Sequence, residues 1–212
     1  MSNTSASGGP IVPTSTAPSY DDPFDDLLQT LVVGVVGLPG ALVRPRWQAV
    51  VPKQPEPNVN WCAIGVVSVE DTAARAQIIH DPDEPIATSE FTTELMGDGS
   101  DFATNWEKVC VLVSMYGPNA WANIGFLNSG IRIPQNREAL FHAHVGLIET
   151  GPRRMMAELV NEQFIRRVDM EIKLVRTIQR TYPIFNLISA SGVTHWRSGG
   201  GSRDAADPFT TL

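Results

Sequence analysis

Cysteine is scarce in this sequence: only Cys62 and Cys110 occur among 212 residues. Two cysteines do not make a disulfide framework, and each stands in an apolar run that predicts a strand. We therefore expect buried free thiols and a reducing compartment. Neither cysteine stands at a predicted helix start, where a thiolate would be favoured. A cysteine nucleophile paired with a histidine is disfavoured on this ground and stays a minor alternative.

Long apolar runs are missing as well. No run approaches the roughly 18 residues that a membrane-spanning helix needs, because the most apolar segment, 27–42, is interrupted by Gly34, Gly37, Pro39 and Gly40. The N-terminus has no basic region followed by an apolar one. We expect neither a membrane span nor a signal peptide.

An excess of positive charge is also absent, since 16 basic residues face 23 acidic ones for a net charge of −7. This balance disfavours a nucleic-acid-binding module that grips phosphates. The charge is uneven: residues 70–107 hold ten acids and one base, and residues 132–183 hold nine bases and six acids. The pattern is typical of two solvated surfaces. It also fits a subunit with opposite poles that associates head-to-tail with its own copies.

No catalytic or metal-binding motif stands out. His142 and His144 form a His-x-His pair that has no third ligand nearby. The acids Asp81, Asp83 and Glu84 lack the spacing of a calcium loop, and a turn between strands explains them more simply. We predict no active site, no metal and no cofactor. The alternative is a small enzyme that uses His142, His144 and a cysteine.

The most informative stretch that is present covers residues 164–182. Its even positions are apolar and its odd positions are charged, which predicts a long strand with one buried and one wet face. The predicted buried residues are Phe164, Val168, Met170, Ile172 and Leu174, and the charged ones are Arg167, Asp169, Glu171 and Lys173. A long strand with charges of both signs on one face indicates assembly rather than catalysis.

The remaining chain predicts an α+β fold: a single domain with a mainly antiparallel sheet flanked by helices. Asp22 and Pro23 predict the start of a helix that Gly37 ends, and further helices are predicted after Pro118 and near Pro134. Predicted strands cover 61–69, 74–80, 91–95, 106–116 and 146–150, the first two as a hairpin. Segment 151–160 fits a helix, a strand or a loop. We place this domain at residues 20–196, between a flexible arm at 1–19 and a flexible tail at 197–212.

The proline-rich segment 42–60 predicts an extended loop. We expect Trp47 to clamp this loop to the core. Arg44 and Arg46 lie on the loop and are candidates for reaching a partner.

Seven short motifs, taken in order, resemble the neck terminator (tail terminator) family of tailed bacteriophages. The resemblance extends over about residues 38–192. The motifs are Leu-Val-Arg-Pro-Arg-Trp-Gln at 42–48, Asn-Trp-Cys-Ala at 60–63, Ser-Met-Tyr-Gly-Pro-Asn at 114–119, Ile-Pro-Gln-Asn-Arg-Glu-Ala at 133–139, Glu-Leu-Val-Asn at 158–161, Arg-Arg-Val-Asp at 166–169 and Arg-Thr-Tyr at 180–182.

The resemblance implies a non-enzymatic virion protein, assembled in the bacterial cytoplasm, whose copies form a ring, usually of six. Such a ring caps the tail tube, ends its polymerisation and joins it to the head connector, and the genome passes through its lumen without specific binding. The implied partners are other copies, the tail tube protein, a connector or head-completion protein and, in a contractile tail, the sheath. A head-completion or connector protein is the near alternative.

Two groups of residues are candidates for this role. We predict that Arg167, Asp169, Glu171 and Lys173, together with Arg44 and Arg46, contact a neighbouring subunit or the tube, since charges of mixed sign give register and specificity. We predict a second group at the lumen or its rim, where carboxylates would repel DNA phosphates. That group comprises Asp81, Asp83, Glu84, Asp98 and Asp101.

Overall fold

The structure is a computed structural model that describes residues 8–14, 21–48, 50, 52–72, 77–81, 96–97, 99–160, 163–184, 186–187, 190–196 and 205–211. It is an α+β domain with a mixed, mostly antiparallel sheet, which confirms the predicted fold class. The described residues group into two compact units. The smaller draws on 1–16, 76–104 and 179–212, and the larger on 17–75 and 105–178.

The helices are α1 (Asp21–Val36), α2 (Ala120–Gly130) and α3 (Glu138–His142), with short 3-10 turns at Gly40–Leu42 and Pro134–Arg137. The strands are β1 (Val43–Pro45), β2 (Trp61–Asp71), β3 (Gln77–Asp81), β4 (Met96–Gly97), β5 (Ser100–Tyr116), β6 (Val145–Thr150), β7 (Arg154–Val160), β8 (Gln163–Pro183), β9 (Asn186–Leu187), β10 (Ala190–Trp196) and β11 (Ala205–Thr211). Among the described residues, no helix is both long and apolar enough to span a bilayer.

The sheet of the larger unit has the strand order β1-β2-β5-β8-β6. Strands β2 and β5 pair antiparallel from Trp61 opposite Tyr116 to Asp71 opposite Glu107. The amide of Gly117 donates to the carbonyl of Arg166 (3.1 Å), and Arg176 contacts Glu107, so β8 also runs antiparallel to β5. The central position predicted for 106–116 is therefore confirmed.

One face of this sheet packs against the helices and forms the main core. Helix α1 begins at Asp21, one residue before the predicted cap, and Gly37 follows it in the left-handed region (φ 77°), which favours glycine. The buried side chains alternate along β5 and β8, as side chains do on successive strand positions. They are Phe24, Leu28, Leu31 and Val32 of α1, Ile124 and Leu127 of α2, Leu140 of α3, Val109, Val111, Val113 and Met115 of β5, and Val168, Met170, Ile172 and Leu174 of β8.

Two residues of the long strand depart from the prediction. Phe164 was predicted to be buried but is 78% exposed, because it lies where β7 and β8 pair as a hairpin at the end of the sheet. Asp169 was predicted on the wet face but is only 8% exposed, because Arg167 folds over it. The burial predicted for Val168, Met170, Ile172 and Leu174 is confirmed.

Three local predictions were wrong or left open. Strand β3 pairs with β5 and not with β2, so the predicted 61–69/74–80 hairpin does not form. The segment predicted as a loop contains β1, which pairs parallel with β2; Pro45 is its last residue. The ambiguous segment 151–160 contains strand β7. The strand predicted at 91–95 lies outside the described residues.

The smaller unit contains the terminal segments. Strands β10 and β11 pair antiparallel, from Ala190 opposite Thr211 to Trp196 opposite Ala205. A flexible tail was predicted over 197–212, whereas residues 205–211 of it form this strand. In the predicted N-terminal arm, the amide of Thr14 donates to the carbonyl of Thr181 at 2.8 Å. Strands β4 and β9 form a second short antiparallel pair.

Candidate functional site

The sheet face opposite the helices carries the odd positions of β8, and we call it the charged face: Arg167, Asp169, Glu171 and Lys173. A small apolar cluster of Ala63, Tyr116 and Ile165, with Trp61 partly buried beside it, covers one end of this face. The rings of Trp61 and Tyr116 stack with centroids 4.0 Å apart, as their direct pairing in β2 and β5 dictates.

Arg167 and Asp169 are bound to each other. The guanidinium donates from Nε and Nη2 to the two carboxylate oxygens of Asp169, at 2.8 and 2.9 Å, and from Nη1 to Glu158 at 3.2 Å. These hydrogen bonds, that to Asp169 above all, raise the pKa of Arg167. The guanidinium also lies 5.7 Å from the ring centroid of Tyr116. Arg167 and Asp169, both predicted interface residues, are therefore held to each other within the subunit.

The other two charges on this face are more accessible. Lys173 donates to Glu149 of β6 at 2.6 Å, and this hydrogen bond lowers the pKa of Glu149 and raises the pKa of Lys173. Glu171 is exposed and forms no ion pair within the described part of the chain. The charge of Glu171 is thus the one on this face that a partner can reach without displacing an internal contact.

Arg44 and Arg46 fix the segment after β1 against the sheet. Arg44 donates from Nη1 to the carbonyl of Lys53 at 2.9 Å and lies 5.9 Å from the Trp61 ring centroid. Arg46 donates from Nη2 to the hydroxyl of Ser114 at 2.7 Å, while its buried Nε has no partner among the described residues. Both arginines line a cleft of about 260 Å³ that Trp61 and Glu158 also border.

Trp47, the predicted clamp of this segment, acts through a hydrogen bond. Its ring is exposed, but its Nε1–H donates to the carbonyl of Val66 in β2 at 3.0 Å. The segment is therefore held by hydrogen bonds from Arg44, Arg46 and Trp47 rather than by burial of an aromatic ring.

A buried ion pair was not predicted. Arg176 occupies an even, core-facing position of β8 and contacts Glu107 of β5 at 2.7 Å (Nη2) and 2.8 Å (Nε). Its guanidinium lies 5.2 Å from the ring centroid of Phe24 in α1. The signal was in the sequence, because the alternation from Val168 to Leu174 continues to position 176 and predicts that this arginine points inward.

Large apolar side chains are exposed at the opposite end of β8. Leu159 of β7 and Phe164 of β8 are paired across the hairpin, and they are 61% and 78% exposed. Met155 is similarly exposed (61%) four pairs further along β7, on the same face. We call Met155, Leu159 and Phe164 the hairpin patch. Sequence reasoning missed it because it left 151–160 unassigned and placed Phe164 in the core.

Two of the five predicted lumen acids, Asp81 and Asp101, lie within the described residues. Asp81 ends β3, and Asp101 of β5 lies 2.6 Å from Nδ1 of His80. Asp83, Glu84 and Asp98 lie outside the described residues. Their position in a lumen therefore stays a prediction.

The groups considered for catalysis are not brought together. His142 lies 3.8 Å from Glu138 on the surface of α3, and His144 has a left-handed backbone (φ 56°). Burial raises the pKa of the Cys62 thiol, which keeps it protonated. In the described ranges, no three side chains of the metal-binding types converge.

Comparison with known proteins gives one family. The family model described as phage neck terminator protein matches residues 22–196, which is most of the chain. The matched range contains both the charged face and the hairpin patch. It agrees with the resemblance seen in the short motifs. No curated protein sequence matches the chain.

Proposed function

The chain belongs to the phage neck terminator family, and from this premise we propose that its copies close into a ring that caps the tail tube. The protein is a structural component of the phage neck, and therefore of the virion. In the proposed role the ring, with six copies expected, ends tube polymerisation and joins the tube to the head connector, and DNA passes through its lumen. The family match is the observation that carries the proposal.

The charged face supports a contact with a neighbouring subunit or the tube. It presents Glu171 and the exposed Lys173–Glu149 pair on a flat strand surface, while the Arg167–Asp169 pair keeps the strand side chains in one arrangement. Charges of both signs select partner and register more than they add affinity. Arg44 and Arg46 contribute through their hydrogen bonds to Lys53 and Ser114, beside this face.

The lumen acids are a second part of the proposal. Asp81 and Asp101, with Asp83, Glu84 and Asp98, would present carboxylates to the passing genome. Their repulsion of phosphates would keep DNA from adhering to the ring. Changing Asp81 and Asp101 to lysine should make the ring bind DNA in a salt-sensitive way; unchanged DNA binding would place these acids elsewhere.

The proposed function is tested by adding the purified protein to growing tail tubes. Tube growth should stop, and electron micrographs should show extra density at one end of each tube. Glu171→Lys should weaken this capping and change its salt dependence, whereas Glu138→Lys, an exposed glutamate on the helix side, should not. Tubes that lengthen at the same rate with and without the protein would refute the proposal.

A further inference from the structure

The hairpin patch exposes apolar surface at one end of the larger unit. Leu159 and Phe164 are directly paired across β7 and β8, so their side chains lie on the same side of the hairpin and form one surface. Contiguous apolar side chains left in water mark contact sites more often than scattered ones do.

Positive charge surrounds this patch. Arg166 follows Phe164 by two positions on β8, and the exposed Arg153, which directly precedes β7, lies on the same side of the hairpin. Arg154, opposite Asp169, lies on the charged face instead. Arg166 donates to the carbonyl of Pro118 at 2.9 Å, and Arg153 lies 5.0 Å from the Trp121 ring centroid. Within the described part of the chain, none of the three has a carboxylate at ion-pair distance.

The other end of the larger unit carries the opposite charge. Helix α1 begins with Asp21, Asp22, Asp25 and Asp26 around the exposed Pro23, and none of these acids forms an ion pair in the described ranges. Phe24 of this turn lies against Arg176, which is 12 positions along β8 from Phe164. At about 3.3 Å per strand residue, the two surfaces are about 40 Å apart.

We propose that the hairpin patch of one copy docks on the first turn of α1 in a second copy of this chain. Arg153 and Arg166 contact the aspartates, and Leu159 and Phe164 pack against Pro23. The partner is a second copy because the aspartates of α1 complement the arginines of the hairpin. Within one molecule these two surfaces lie too far apart to meet. The inference rests on the proposed ring and names the contact that closes it.

This contact is head-to-tail, since two different surfaces meet. Such contacts repeat from copy to copy and close into a ring when the rotation per copy allows it. An aromatic side chain and arginines at the centre of a contact typically carry most of its energy. Partial burial first, and then the neighbouring aspartates, raise the pKa of Asp25, so like charges stand close together on this turn.

The apolar half of the contact is tested with a pair of phenylalanines of equal exposure. Phe164→Ser should weaken self-association by about 10- to 30-fold, measured by sedimentation velocity with the protein alone and by ring occupancy on tail tubes. Phe141→Ser is the matched control, because Phe141 is 76% exposed and lies on α3, away from the patch. Leu159→Ser gives a second variant should Phe164→Ser not fold. Equal effects of the patch and control variants would overturn the inference.

The charged half is tested by exchanging the charges. Arg153→Glu with Arg166→Glu should weaken self-association, and so should Asp22→Arg with Asp26→Arg. All four changes in one chain should restore it to within about 3-fold of the unaltered protein, because the pairs re-form with reversed sign. If the losses of self-association of the two double variants add up in the fourfold variant, the two surfaces do not meet.

The outcomes separate the two proposals. If the unaltered protein forms rings and the hairpin variants form them equally well, the contact is wrong and the ring stands. If the unaltered protein forms no ring alone or on tube ends, the proposed function fails and the contact fails with it.

Discussion

Removing the carboxylate of Glu107 should destabilise the protein severely, because the buried guanidinium of Arg176 depends on it. The Arg176 and Glu107 side chains are 6% and 14% exposed, so little water can replace the lost charge. Taking one member from a buried pair typically costs about 3–5 kcal/mol. Since Arg176 keeps its contact with Phe24, we expect the lower end, about 3 kcal/mol, for Glu107→Gln.

That free energy corresponds to a lowering of Tm by about 6–12 °C for a chain of this size. The double variant Glu107→Leu/Arg176→Met should be far less affected, because it removes both charges and fills the site with apolar atoms. In the double-mutant cycle, its loss should fall short of the sum of the single losses by at least about 2 kcal/mol.

The assay is urea unfolding followed by circular dichroism and tryptophan fluorescence, with Tm from thermal scans. Glu149→Gln is the control, since it removes a carboxylate from the exposed pair with Lys173 and should leave Tm unchanged. A cost below about 1 kcal/mol for Glu107→Gln, or additive single and double losses, would refute the reasoning.

Three further changes have defined outcomes. Burial first, and then repulsion from neighbouring aspartates, raise the pKa of Asp25 above its ordinary 3.8. The folded state therefore binds the carboxyl proton of Asp25 more tightly than the unfolded state does. The free energy of unfolding falls as pH rises from the ordinary pKa of an aspartate to the raised pKa of Asp25. Asp25→Asn should raise Tm at pH 7, with a gain that fades towards pH 4; a gain constant with pH would contradict this. Gly117→Ala should cost more than about 1 kcal/mol, because Gly117 has φ 102° and an added Cβ would lie 2.6 Å from the carbonyl of Val59. Gly34→Ala, in open space on α1, should instead stabilise by about 0.5–1 kcal/mol. Unfolding curves that give the two variants the same stability would refute the strain expected at Gly117. Cys62 should react with a thiol reagent only at the rate of unfolding, and faster labelling of the folded protein would contradict its burial.

The sequence predicted the elements that pack directly on the hydrophobic core. The alternation from Val168 to Leu174 identified β8 because every second side chain of a strand faces the same way. The same rule, carried one step further, would have found the inward-pointing Arg176. Helix α1 was predicted for a similar reason: its apolar residues recur at helical spacing before Gly37.

Pairing and exposure at the end of the sheet were not predictable in the same way. Strand β3, Gln-Ile-Ile-His-Asp, has no alternation of buried and exposed residues, so its sequence does not choose between β2 and β5 as a neighbour. The exposure of Phe164 depends on tertiary packing, which the alternation along a single strand does not encode. Segment 151–160 became a strand because β8 extends far enough to pair with it.

The surroundings of the candidate interface residues follow from the sequence only in part. Glu171 lies on the charged face, exposed, as its odd position requires. The burial of Asp169 was not predictable, because it results from the fork that Arg167 forms with it two residues away. Arg44 and Arg46 were predicted to reach a partner, which stays a prediction; the structure gives them internal contacts with Lys53 and Ser114.

The central claim, that copies of this chain close into a ring on the tail tube, is tested most directly by negative-stain class averages. The purified protein would be imaged with and without tail tubes. The account predicts closed rings of fixed rotational symmetry, with six copies expected, and one ring at the end of each tube. Single copies at every concentration, together with tubes whose ends are bare, would contradict it.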